Sequence, residues 1–351
     1  MSSLNDDVLI VGDFSGVGSN LVKAMRLRGY SVSLISDGDG YKKLDSVIWL
    51  PKVLNFALAR YAYLLMRVLW LSLNRYRYVV FVTPFIVKGP ALLCYLANKL
   101  LLARGSVAVF LACGSDYYWW NFVPKGAKRT PHLGFVNDLD GNRHRFASRW
   151  YGWANASLVE SVDRIIALGF EYTACYELAG YTVEYCGFPV FLDENDAASA
   201  DAKPNSRRYC YHGITRKGFK GSEKLIDLMR QNAGWGYEQL VTNRVTFKEF
   251  TTNLRSSVIY LDQWSSFGPA MSALQALQYC PVVISGVQQE YCNAEYFKDC
   301  PVIDPMSLTF NPELVHARLS DKSWPLSARD FLIKHHSPDA LVDLIIRKEA
   351  A

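Results

Sequence analysis

The stretch from Tyr209 to Met229 constrains the fold more than any other. A short β-type run, Tyr209 to Tyr211, stops at His212-Gly213. A basic, glycine-punctuated loop follows, and Leu225, Leu228 and Met229 then recur at helical spacing. Strand, glycine-rich loop and helix in that order offer free backbone N–H groups to an anion at the helix N-terminus. Arg216 and Lys220 lie in the loop, and Gly218 and Gly221 let the backbone approach a ligand closely. A guanidinium fork with a lysine point charge suits a diphosphate, and both charges are expected to face solvent. A solvated basic turn between strand and helix has the same local pattern.

The run H-G-x-T-R-x-G-x-K-G, His212 to Gly221, resembles the donor-diphosphate loop of GT-B glycosyltransferases, in particular the family 4-like enzymes of bacterial surface polysaccharide synthesis. The resemblance implies two Rossmann-like parallel-sheet domains facing an interdomain cleft. It assigns the diphosphate of a nucleotide sugar to Arg216 and Lys220, with Gly213 and Thr215 in the same donor loop.

Half of the 351 residues are hydrophobic, enough for two ordinary cores. Charged residues at 20% exclude a disordered chain. The net charge of +5 fits an anionic small molecule or an acidic membrane surface, not a nucleic-acid groove, which needs a concentrated basic stripe. The eight cysteines form no C-x-x-C pair and several sit in apolar runs. They read as reduced thiols of a cytoplasmic protein, not a disulfide framework or metal site. The N-terminus, with Asp6 and Asp7 ahead of a short strand, lacks the layout of a signal peptide.

The chain opens as a β-α-β unit. Val8 to Val11 is a buried-strand run, Gly12, Gly16 and Gly18 punctuate the turn around Ser15, and Leu21, Val22, Met25 and Leu27 mark a helix before a second strand, Ser31 to Ile35. Two functions compete for this turn. One is dinucleotide binding with Asp37 on a ribose, as in short-chain dehydrogenases. The other, implied by the resemblance, is the acceptor-side turn of a GT-B enzyme, with Gly12, Ser15 and Gly16 at the cleft. A Tyr-x-x-x-Lys, Tyr95 to Lys99, lies in an apolar helical run, earlier than a dehydrogenase would place it.

Val53 to Leu73 is the most apolar helical segment, interrupted by Arg60 and Arg67. A central arginine costs roughly 2.5–3.5 kcal/mol on insertion scales, which argues against a membrane span. The segment reads as a core helix with a solvated arginine stripe. The alternative is a helix lying on an anionic membrane surface near a lipid-linked acceptor. Ser106 to Ala112 is a strand running into Cys113-Gly114-Ser115-Asp116, and strand carboxyl ends are where open parallel sheets bind ligands. Asp116 is the candidate base for an acceptor hydroxyl, and the aromatics Tyr117 to Trp120 serve either sugar stacking or core. Asp138-Leu139-Asp140 reads as a polar turn, not a metal site.

In the second half, Ser257 to Leu261 is a strand ending at Asp262, followed by the loop Trp264 to Gly268, a helix from Ala270 to Leu277, and the strand Pro281 to Ile284. This resembles the family's second signature. Phe267 and Gly268 match its aromatic-glycine loop, but Ser265 stands at the first of its paired acids and Gln275 near the second, two residues late. Gln275 retains hydrogen-bonding capacity for ribose hydroxyls, and Asp262 either takes over one donor contact or caps a turn. His335-His336 has no third ligand nearby and reads as surface.

The sequence is therefore expected to form an acceptor-side domain over 1–192, a linker over 193–207, a nucleotide-sugar domain over 208–330 and, over 331–351, a C-terminal helix packing back on the first domain. The expected activity is transfer of a hexose-type sugar from a nucleotide-diphosphate donor to a glycan or lipid-linked acceptor. No metal or cofactor is called for, and the location is cytoplasmic or peripheral on the inner membrane face. The rivals are a non-catalytic nucleotide-sugar or glycan-binding subunit and an NAD(P)-dependent oxidoreductase.

Overall fold

The strands form where the sequence offers uninterrupted aliphatic runs, the mark of parallel strands buried on both faces. In the computed structural model, the described residues are 7–36, 39, 42, 57–86, 90–122, 146–192, 209–215 and 220–347. The expected linker, the Asp138-Leu139-Asp140 turn, Asp37, Arg216, Gly218 and the Arg60 side chain lie outside them. The described residues divide into two units, one drawn from Met1–Val123, Gly141–Pro189 and Pro338–Ala351, the other from Val190–Ser337.

The first unit runs β1 (Val8–Val11), α1 (Val17–Leu27), β2 (Val32–Ile35), α2 (Ala57–Leu71), β3 (Tyr76–Phe81), α3 (Ala91–Leu102), β4 (Gly105–Ala112), α4 (Tyr117–Phe122), α5 (Arg149–Val159), β5 (Arg164–Leu168), α6 (Phe170–Leu178) and β6 (Glu184–Cys186). Its sheet has the order β2-β1-β3-β4-β5-β6, and every pair is parallel. β3 begins at Tyr76, earlier than its aliphatic run suggests. The Tyr76 and Tyr78 rings are buried, and the Tyr76 hydroxyl finds the Leu71 carbonyl at 3.2 Å.

The second unit contains β7 (Tyr209–Ile214), α7 (Ser222–Gln231), β8 (Glu238–Asn243), α8 (Phe247–Arg255), β9 (Ser257–Leu261), α9 (Met271–Ala276), β10 (Val282–Ile284), α10 (Ala294–Asp299), α11 (Pro312–Ser320) and α12 (Trp324–His336). The strands are parallel in the order β10-β9-β7-β8. Leu225 and Met229 of α7 pack with Ile259, Leu261, Val282, Ile284 and Val315 in the core. α8 starts with a reciprocal capping box: Thr246 Oγ1 accepts from the Glu249 N–H, and the Glu249 carboxylate accepts from the Thr246 N–H.

Two expectations fail here. β7 does not stop at His212-Gly213 but pairs with β8 through Ile214. Pairing with β9 ends at His212, and the ladder to β8 alone carries the strand through Gly213 and Ile214, outweighing the low strand propensity of one glycine. The His335-His336 pair is not surface. His336 is buried with its Nε2 3.0 Å from the Tyr296 hydroxyl, and His335 Nε2 lies 3.0 Å from Asp299 Oδ2.

The last helix, α13 (Pro338–Ile346), belongs to the first unit and packs on α1. It buries Leu341, Val342 and Ile345, and Arg28 bonds Asp339 at 3.0 Å and also Asp343.

Candidate functional site

In each unit the candidate residues collect at the carboxyl ends of parallel strands. In the second unit, β7 carries Gly213 and leads through Thr215 toward Lys220 and Gly221. Gly221 takes a left-handed φ of 64° as the N-cap of α7, and no side chain caps that helix. Among the described residues, its first N–H groups have no side-chain acceptor.

Lys220 differs from expectation. It is not in solvent: it is 6% exposed, and Nζ donates to Asp262 Oδ1 at 2.5 Å and to Ser272 Oγ at 3.3 Å. Ser272 Oγ donates in turn to Asp262 Oδ1 at 2.6 Å, and the Tyr260 hydroxyl reaches the same oxygen at 3.3 Å. Burial of both charges requires this pairing, since a lone buried ion is costly. Asp262 Oδ2 is buried and has no partner among the described residues. An ammonium has three N–H groups, so two engaged here leave one for another acceptor.

His212 is the residue the sequence reading overlooked. Fully buried in β7, it has its pKa lowered to about 4 by burial, so the ring is neutral. The Leu261 carbonyl, 2.8 Å from Nδ1, can only accept, which puts the proton on Nδ1. Nε2 then accepts from the Ser222 hydroxyl at 2.9 Å, tying the first residue of α7 to the sheet. Ser272, on α9, was also missed. No spacing rule joins it to Asp262, and only the fold does.

The remaining donor candidates separate. Phe267 is fully buried with its ring stacked on Tyr291, centroids 4.1 Å apart. Ser265, in the position of the first family acid, directs Oγ at Met306 Sδ, 3.6 Å away. Gly268 accepts from Ser266 Oγ at 2.6 Å, and Gln275 is half-buried on α9.

In the first unit, Gly12 at φ 94° approaches Thr83 so closely that a Cβ would lie 2.4 Å from Thr83 Cγ2. The N-terminus of α1 is already occupied. Asp13 accepts from the Gly18 N–H at 2.9 Å, the Ser19 N–H at 3.1 Å and the Ser19 hydroxyl at 2.5 Å. The Ser15 N–H donates to Asp39, which also pairs with Lys42 Nζ at 2.5 Å. The Asp13 carboxylate thus takes the helix N–H groups that a dinucleotide reading would give to a diphosphate, which disfavours that reading.

Asp116 stands beyond β4 with Oδ1 accepting from the Trp119 N–H at 2.8 Å and Oδ2 from the Tyr176 hydroxyl at 2.5 Å. It is 2% exposed, and burial raises its pKa to about 6 against those hydrogen bonds. Asp13 is likewise pushed up to about 6 by burial. A base must touch the hydroxyl it deprotonates. In this arrangement Asp116 first pins the β4–α4 junction. Tyr118 and Trp119 are buried, which places them in the core and not against a sugar.

Two parallel-sheet α/β units define an α/β protein whose strand carboxyl ends carry its polar residues, and their architecture is that of the GT-B fold. The chain is similar to an alpha-glucosyltransferase in complex with UDP and a 13-mer DNA, with TM-score 0.57, 12% identity and coverage of 97% of this chain and 99% of that one. It is also similar to a sucrose-phosphate synthase from Thermosynechococcus elongatus, with TM-score 0.53, 12% identity and coverage of 95% and 96%. No family model and no curated protein matches the sequence.

Proposed function

We propose that the protein is a glycosyltransferase that moves a sugar from a nucleotide-diphosphate donor, held by the second unit, to a glycan or lipid-linked acceptor taken by the first. One observation carries this reading. At the carboxyl ends of β7 and β9, a lysine fixed by Asp262 and Ser272 stands beside a helix N-terminus that no side chain among the described residues caps. That combination suits a leaving diphosphate. As the anomeric C–O bond breaks, charge builds on the diphosphate, and preorganised donors stabilise it where it forms. Arg216 completes the set by the family resemblance. Asp116 is the proposed acceptor of the incoming hydroxyl's proton, which requires one of the hydrogen bonds it accepts to open. No metal or other cofactor is needed. The wider setting of this proposal is surface polysaccharide synthesis in the cytoplasm.

The test is calorimetric titration of wild type and Arg216→Ala with UDP, GDP and dTDP and with the bare nucleosides. Loss of a charge-assisted contact worth about 1.5–3 kcal/mol should weaken the cognate diphosphate roughly 10- to 150-fold and leave the nucleoside unchanged. Equal diphosphate affinity in both proteins would sink the donor-site assignment. Binding with no sugar transfer to any acceptor extract would instead indicate a nucleotide-sugar-binding subunit.

A further inference from the structure

α2, α3 and α5 lie side by side in the first unit, α2 against α3 and α3 against α5. Their inner faces are ordinary core: Leu64, Val68 and Leu71 of α2, Ala97 and Leu101 of α3, and Ala154 and Leu158 of α5 are buried. The outer faces are not polar. On α2, Met66 is 60% exposed, Leu69 46% and Trp70 53%, and just past its end Leu73 is 78% exposed. With exposed Ala62 these residues fall at i, i+4, i+7, i+8 and i+11, a single stripe along the helix. Leu92 and Leu96 repeat the pattern on α3, and Trp150, 75% exposed, and Trp153 do so on α5. A solvated helix face normally carries charge in such positions, and a contiguous apolar face marks an interaction site.

The charge around this face selects the partner. Between Asp45 and Asp116 the sequence contains no aspartate or glutamate, while it contains Lys52, Arg60, Arg67, Arg75, Arg77, Lys88, Lys99 and Arg104. Among the described residues, Arg75, Arg77 and Lys99 are exposed, and Arg149 stands exposed next to Trp150. Arg67 borders the stripe, its Nε donating to the Tyr63 hydroxyl at 2.9 Å. The first acid after Trp150 is Glu160, beyond the far end of α5. An apolar centre, tryptophans and a rim in which the described cations outnumber the acids Asp7 and Glu160 match the interface of an anionic bilayer. None of these helices is long and apolar enough to cross a membrane.

We propose that the outer face of α2, α3 and α5 docks on the surface of an anionic lipid bilayer, with Met66, Leu69, Trp70 and Leu73 entering the headgroup–acyl boundary and Arg75, Arg77 and Lys99 meeting lipid phosphates. This goes beyond the sugar-transfer reading and stands without it. The test is co-sedimentation of the full chain, without nucleotide or sugar, with vesicles of phosphatidylcholine alone or mixed with phosphatidylglycerol. Wild type should sediment with the mixed vesicles and not with phosphatidylcholine alone. Met66→Glu with Trp70→Glu, and separately Arg75→Glu with Arg77→Glu, should each weaken binding at least about tenfold with unchanged circular dichroism. Failure of wild type to sediment at low salt overturns the proposal, as does undiminished binding by the Met66/Trp70 variant. A concentration-dependent dimer in light scattering that the Met66/Trp70 variant abolishes would overturn it in favour of a second copy of the chain. Donor titrations on the same preparations report on the sugar-transfer reading separately.

Discussion

At the scale of single residues, burial decides which charges serve binding and which serve the fold. Lys220→Ala would leave the buried Asp262 carboxyl without its counter-ion. We expect a stability loss of about 3–5 kcal/mol in urea denaturation, so any loss of donor affinity in that variant confounds two effects. Arg216→Ala is the cleaner probe. Asp116 allows a sharper separation. Burial holds its folded pKa at about 6, above the ordinary 3.8 of an aspartate, so ionisation opposes folding. The ionised carboxylate lowers stability by about 3 kcal/mol at neutral pH, and the penalty vanishes as pH falls below the unfolded value. Asparagine can keep the acceptor for the Trp119 N–H without the charge. Asp116→Asn should therefore raise the thermal midpoint at pH 7 and match wild type at pH 4. If turnover drops on the order of 10²–10⁴-fold in that more stable protein, the residue is the base. Unchanged turnover removes it from the mechanism.

At the scale of elements, the fold places its supports away from the chemistry. α13 closes the first unit through Leu341, Val342 and Ile345, all fully buried. Leu341→Ala should cost about 2–5 kcal/mol by cavity formation, measured by denaturant titration, with donor affinity unaffected. A change in donor affinity without a change in stability would contradict that separation. The N-terminus of α1 shows the opposite use of an element: Asp13 and Asp39 fill it with the protein's own anions. The corresponding end of α7 has no side-chain cap among the described residues. The two helix starts share glycines after a strand but differ locally at Asp13, five residues before Gly18, and in Asp39, which the fold brings from 24 residues away.

For the molecule as a whole, the two units should answer acid in opposite directions. His212 in the second unit has a folded pKa of about 4, below its ordinary 6.5. The unfolded state therefore binds more protons between those values, and stability falls by about 3 kcal/mol as pH drops through that window. In the first unit, Asp13 and Asp116, both raised to about 6, favour the folded state more as pH drops from 6 toward 4. Hydrogen-exchange mass spectrometry at pH 7 and pH 5, corrected for intrinsic rates, should show protection lost in β7–β9 and gained in β1 and β4. Parallel changes in both units would show that these three groups do not govern the response.

The amino-acid sequence alone determined the alternation of strands and helices, because aliphatic runs bounded by glycine, proline and asparagine leave few other ways to bury themselves. Ser257–Leu261 and Val8–Val11 stand where their hydrophobic runs put them. It also carried the basic loop and the departure from the paired acids at Ser265 and Gln275. Only the tertiary structure decided that Lys220 is buried, because its partners Asp262 and Ser272 lie 42 and 52 residues away in the chain. The same holds for the neutral state of His212, set by a carbonyl 49 residues distant. Local periodicity records which face of an element is apolar. It does not record whether that face meets another element, and so the exposed stripe on α2 read as core until the packing was known.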